Sequence, residues 1–233
     1  DWLNVSKSEI GAYSACYKIG LFMVLFRTAY TLGIEPFFFS YANNENAPQT
    51  YADITKYFVI FGSLISLSVI VFSDILKLFL IPNETYWSAM KVVPLIVLAN
   101  FFLGIYTNLS VWYKLTDRTK IGAYISIVGA IITLTINFLL IEKFSYMGSA
   151  IATIAAYGSM MMISYYLGNR YYPIPYDKNK IGGYLGLSIL FSFVYFYGFR
   201  QNYFVGIGLL IIFIYFVYRN EKNVLLRIVK KSP

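Results

Sequence analysis

Apolar runs of membrane-spanning length recur along this whole chain, and they constrain its fold more than any other feature. Tyr57–Ser73, Val92–Tyr113, Ile121–Ile141, Met147–Gly168, Ile181–Phe199 and Tyr203–Tyr218 follow a first stretch, GLFMVLFRTAYTLGIEPFFF, that begins at Gly20. At about 1.5 Å per helical residue, each is about long enough to cross a hydrocarbon core of roughly 30 Å. The runs lack the period-two alternation of a membrane β-barrel, which excludes that fold. The expected fold is all-α: a polytopic transmembrane bundle of seven spans.

Charge enters the argument through its placement. Hydrophobic residues make up 58% of the chain and charged ones 13%, so the net charge of +8 sits in the connections. Lys114, Arg118 and Lys120 share one connection, and Arg170, Lys178 and Lys180 share the connection two spans later. Arg219, Lys222, Arg227, Lys230 and Lys231 close the chain. If every span crosses once, all three clusters lie on one side, which the positive-inside rule makes cytoplasmic. That pattern argues against a nucleic-acid partner and for membrane lipid, with the basic tail placed to touch anionic headgroups. Tyrosines near span ends, among them Tyr57, Tyr113, Tyr165 and Tyr171, fit an aromatic belt. Histidine is absent and Cys16 is the single cysteine, which removes imidazole metal sites, histidine-based triads and an intrachain disulfide. No cofactor, metal or catalytic residue is expected.

Local signals predict the boundaries. Ser8 is the expected N-cap of a first helix over about 9–40, loosened at its far end by Gly33 and Pro36. Pro48 reads as a breaker in the loop that follows, and the second span is expected over about 52–80. Pro94 is tolerated in a first helical turn. Asp74 and Lys77 read as a surface i,i+3 pair. Gly182-x-x-x-Gly186 suits either helix dimerisation or, more simply, an ordinary helix contact. The Pro-containing connection near 171–180 is the expected boundary between a bundle over 1–170 and a peripheral, lipid-exposed hairpin with a basic tail over 171–233. The opening at Asp1, without an initiator methionine, reads as a piece of a longer protein.

Three ionisable residues lie in the first helix: Lys18, Arg27 and Glu35. At about 100° per residue, Arg27 is about 180° from Lys18 and about 80° from Glu35. Lys18 can snorkel outward and Glu35 is near enough to the cytoplasmic end to be solvated. Arg27 has neither exit. It faces a cavity and receives an anionic group, or it pairs with a carboxylate of another helix. Asn100, Asn108 and Asn137 are further candidate substrate contacts. Asn100 and Asn108 are about 80° apart and can face one cavity, although interhelical hydrogen bonding is the commoner use of such residues. An arginine fork with Asn, Ser, Thr and Tyr around it suits an anionic, sugar-bearing amphiphile.

SEIGAYSACYKIG (8–20), EPFFF (35–39), VVPLIVLANFFLGIYTNLSVWYKLTDRTK (92–120), YMGSAIAT (146–153) and YYPIPY (171–176) carry a resemblance. Together, and in this order, they resemble the lipid-linked oligosaccharide flippases of polysaccharide and lipopolysaccharide biosynthesis. Those flippases share a superfamily with the multidrug and toxin extrusion transporters. The resemblance implies two pseudo-symmetric helical bundles and an added C-terminal hairpin. This chain would be the second bundle from its second helix onward, with the N-terminal bundle missing. It implies a multi-pass protein of the bacterial inner membrane that moves an undecaprenyl-diphosphate-linked oligosaccharide between leaflets by alternating access. Arg27 and Lys18 would fall on the helix that supplies diphosphate-holding cations. Two alternatives remain open: a drug or cation exporter of the same superfamily, which would favour deep carboxylates, and a membrane polysaccharide polymerase or glycosyltransferase. The latter needs acid–base chemistry on large extramembrane loops, and no loop here is long enough to hold a sugar-nucleotide site. A transporter, not an enzyme, is the expected class.

Overall fold

In a computed structural model, the structure describes residues 6–231, with side chains described as far as Lys222. The described residues form helices joined by short turns: α1 (Lys7–Ser40), α2 (Ala47–Val71), α3 (Ser73–Leu80), a 3-10 stretch (Glu84–Val92), α4 (Val93–Leu109) and α5 (Val111–Leu115). There follow α6 (Thr119–Phe144), α7 (Tyr146–Tyr171), α8 (Lys178–Gly198) and α9 (Tyr203–Lys231). Seven of these segments are long and apolar enough to cross a membrane, as the apolar runs predicted.

The termini of the elements follow from capping chemistry, and several correct the sequence expectations. The first helix starts at Lys7, and Ser6 rather than Ser8 is its N-cap. Ser6 Oγ accepts from the Glu9 N–H at 3.2 Å while Glu9 Oε2 accepts from the Ser6 N–H at 2.9 Å, a reciprocal capping box. The far end does not loosen at Pro36. The Tyr41 N–H donates to the Phe37 carbonyl and the buried Tyr51 hydroxyl to that of Phe38, which tie the last turn down. Pro48 does not break the chain but sits in the first turn of α2, where its missing N–H is not needed. Pro94 occupies the same position in α4. The second span is not continuous to Leu80; it is interrupted at Phe72, and α3 restarts one residue later.

α2 and α4 form the centre of the bundle, with most of their side chains buried. Around them α1 and α7 both pack on α4, and α8 along α2, while α6 leans almost wholly on α7. Its outer face, Tyr124, Ile131, Leu134 and Phe138, is exposed as lipid-facing residues should be. One residue, Ser145, joins α6 to α7 at φ 49° and ψ −134°. Ser149 Oγ then donates to Asn137 Oδ1 at 2.8 Å across that pair.

The α8–α9 pair lies at the rim but is tied in at both ends. On the first side, Asp74 and Lys77 are not a surface pair: both are buried. Arg200, in the α8–α9 turn, forks onto Asp74 through Nε and Nη2, each at 2.8 Å, and Lys77 donates to the same carboxylate at 2.6 Å. Lys77 also lies 4.5 Å from the centroid of the Trp87 ring. The expected lipid-exposed hairpin thus carries an arginine that reaches into the bundle, because a carboxylate buried at Asp74 needs charge-assisted partners. On the other side Glu221, within what read as a basic tail at the membrane surface, is buried. It accepts from Lys180 Nζ and the Tyr184 hydroxyl, each at 2.9 Å, and lies 3.3 Å from Lys56 Nζ on α2. The side chains of Arg227, Lys230 and Lys231 lie outside the described residues. Gly182 and Gly186 make no helix contact: a Cβ at either would meet nothing within 4 Å.

Candidate functional site

Two glycines bring α1, α2 and α4 together closely enough to form a polar seam. A Cβ on Gly20 would stand 2.5 Å from Ile96 Cγ2, so α1 and α4 touch backbone to side chain there. On Gly104 it would stand 2.5 Å from Phe58 Cζ and 3.4 Å from Arg27 Cγ. The Arg27 stem therefore lies over the bare backbone of α4. Ile96, Asn100, Gly104 and Asn108 follow at four-residue steps along that ridge of α4. Asn100 donates to the Ile96 carbonyl at 2.9 Å, and Asn108 donates to that of Gly104 at 3.1 Å. Asn108 Oδ1 accepts from the Tyr30 hydroxyl at 2.6 Å, joining α4 to α1 one turn from Arg27.

Facing this ridge, α1 presents Tyr13, Tyr17, Arg27, Thr31 and Glu35, all half-buried. Their spacings place them within about 80° of one another around the helix. Arg27 acts electrostatically on Tyr157 of α7, which also lines this side of the bundle. Toward the Lys/Arg-rich end, Glu35 pairs with Lys114 of α5. Between them Tyr30, Thr31, Asn108 and Lys114 line a narrow cleft of about 10 Å³, room for about one water.

Arg27 is the electrostatic exception in this arrangement. Its Nε is buried without a hydrogen-bond partner, and among the described residues no carboxylate lies within 4.0 Å of it and no aromatic ring sits beneath it. Burying an unpaired guanidinium donor costs on the order of several kcal/mol unless another group completes it. The guanidinium donors that reach this face have the geometry to take two oxygens of a phosphate or carboxylate at once.

The remaining predicted site residues separate. Glu35 and Asn108 join Arg27 on the seam, and Asn100 lies on the same α4 ridge with its amide bound within its own helix. Lys18 is exposed on the opposite face of α1, in a row with Ile10, Leu25 and Leu32. Asn137 is held between α6 and α7 by Ser149 and by the Thr133 carbonyl, so its amide is used in packing. Tyr13, Tyr17, Thr31 and Tyr157 were not singled out from the sequence. The signal was present for the first three, in the 3.6-residue register that they share with Arg27.

Membrane-crossing helices around a polar seam define a polytopic membrane protein. The chain belongs to the MatE family, whose model matches residues 2–139, more than half of it. No curated protein and no solved structure matches the chain. Members of that family are membrane transporters, so this chain is a multi-pass membrane protein of the exporter superfamily to which the multidrug and toxin extrusion proteins belong.

Proposed function

We propose that this chain forms one wall of the path of a flippase for lipid-linked oligosaccharide in polysaccharide biosynthesis, with Arg27 receiving the diphosphate. The observation that carries the reading is the incomplete coordination of Arg27 on a half-buried polar face. Tyr13, Tyr17 and Thr31 offer hydroxyls suited to sugar, and the wide apolar surfaces of α1 and α6 suit a lipid chain and an opposed bundle. A cation exporter calls for an available carboxylate on this seam. The one there, Glu35, is paired with Lys114.

The test uses the full-length protein in reconstituted vesicles and follows translocation of a lipid-linked oligosaccharide per folded molecule. Arg27→Ala should lower the rate at least about 100-fold, the effect of removing a desolvated charge contact of roughly 3 kcal/mol. Arg27→Lys should keep partial activity, since the charge survives without the fork. Wild-type rates in Arg27→Ala would end the proposal. A loss explained wholly by less folded protein would instead assign Arg27 to structure.

In the same proposal the protein lies in the inner membrane with its Lys/Arg-rich end in the cytoplasm. Single cysteines at Thr119 and Asn179, in a chain with Cys16 replaced, should react with an impermeant thiol reagent only in inverted vesicles. Reaction in right-side-out cells would reverse the orientation.

A further inference from the structure

On the opposite side of α4 from Arg27, α2, α4, α7 and α8 leave a cleft of about 370 Å³ at the Lys/Arg-rich end of the bundle. That volume is in the range of sites that hold small organic ligands. Its walls are apolar: Ile105, Leu109, Met161, Ile181 and Leu185. Gly182 opens onto it with no atom within 4 Å of where a Cβ would stand, so α8 is bare along that wall. From Lys178 to Leu185 the cleft runs about 10 Å into the apolar layer at helical rise.

Two polar groups mark one end. Lys178 Nζ lies 5.6 Å from the centroid of the Tyr165 ring, and Lys178 makes no ion pair among the described residues. The Tyr165 hydroxyl is buried and has no hydrogen-bond partner. Met161, on α7, supplies a deformable surface to a flexible chain. An apolar slot headed by a cation and an uncompleted phenol is complementary to one kind of membrane molecule, an anionic amphiphile. We propose that this cleft holds an anionic phospholipid of the surrounding bilayer, its phosphate between Lys178 and the Tyr165 hydroxyl and the first part of one acyl chain along Ile181, Gly182 and Leu185. The site is separate from Arg27, and its test does not depend on transport.

Native mass spectrometry of the purified full-length protein supplies that test, with phosphatidylglycerol and phosphatidylcholine of identical chains in competition. The wild type should retain phosphatidylglycerol about five-fold better, the preference that one lysine near a membrane surface confers. Lys178→Gln should bring the ratio close to one. Tyr165→Phe, which keeps the ring and loses only the hydroxyl, should lower it partway. Gly182→Leu has space for its side chain and should reduce retention of both lipids while leaving thermal stability intact. Equal retention by the wild type, an unchanged ratio in Lys178→Gln, or undiminished binding in Gly182→Leu would each overturn the proposal. So would displacement of phosphatidylglycerol by an equimolar polyprenyl diphosphate, which would assign the cleft to the transported lipid.

Discussion

Arg27 and Arg200 are both partly buried guanidiniums in the same bundle, yet their surroundings differ completely. Arg200 is matched: Asp74 takes two of its donors, Lys77 shares the carboxylate, and Phe196 lies beneath the guanidinium at 4.5 Å. Arg27 has a neighbouring ridge of small and amide residues and, among the described residues, no carboxylate within 4.0 Å. A cation that is completed by its own chain holds helices together. One left incomplete at a half-buried face is, in the function proposed above, held ready for something that arrives.

Exchanging the two roles by mutation is the most severe way to break this contrast. Asp74→Ala strands Arg200 and Lys77 and should cost about 3–5 kcal/mol of stability, while transport per folded molecule stays near wild type. Arg27→Ala should show the reverse, with a thermal midpoint near wild type. The comparison fails if Asp74→Ala unfolds no more readily than Arg27→Ala in the same detergent.

Gly104 sharpens the contrast at smaller cost. A methyl group there would meet the Phe58 ring at 2.5 Å and crowd the Arg27 stem. Gly104→Ala should destabilise by about 1–3 kcal/mol and lower transport by displacing Arg27. Gly33→Ala, with nothing within 4 Å, is the control and should be neutral in both measurements. Equal behaviour of the two glycine variants would remove the argument for a tight seam at Arg27.

The smallest effect is one of pH. Burial pushes the Asp74 carboxyl up, but the Arg200 fork and Lys77 outweigh it and hold the group below its ordinary value of 3.8. A depressed carboxyl contributes stability that is fully present above that ordinary value and is lost as the pH falls through the lower folded one. Unfolding of the wild type should therefore accelerate as the pH drops below about 4, and Asp74→Asn should lose that portion of the acid sensitivity. Identical acid profiles would remove Asp74 from the account.

These contrasts also show what could be read from the residues and what could not. Spans depend on apolar length, a local property, and all of them were legible. So was the partial burial of Arg27, because an arginine inside such a run is far from solvent. Asp74 looked like half of a surface pair because Lys77 is three residues away, whereas Arg200, which decides its burial, is 126 residues away. Glu221 was hidden for the same reason: it sits among basic residues, but its partners Lys56, Lys180 and Tyr184 come from other helices. Tyr13 and Tyr17 were passed over, although their helical register with Arg27 places them on its seam. Asn137 and Lys18 show the converse. Their residue types suited a site, but the direction in which each points depends on helix packing that no local pattern encodes.

The single-residue link at Ser145 bears on how such a bundle is assembled. An amide at Asn137 is a poor guest in hydrocarbon, and its partner Ser149 comes on the next helix, only twelve residues later. Because the turn holds no slack, α6 and α7 meet as soon as both have been synthesised, and the bond closes without waiting for any third helix. The most lipid-exposed helix of the bundle thus has its mid-span amide satisfied by the next helix to be made.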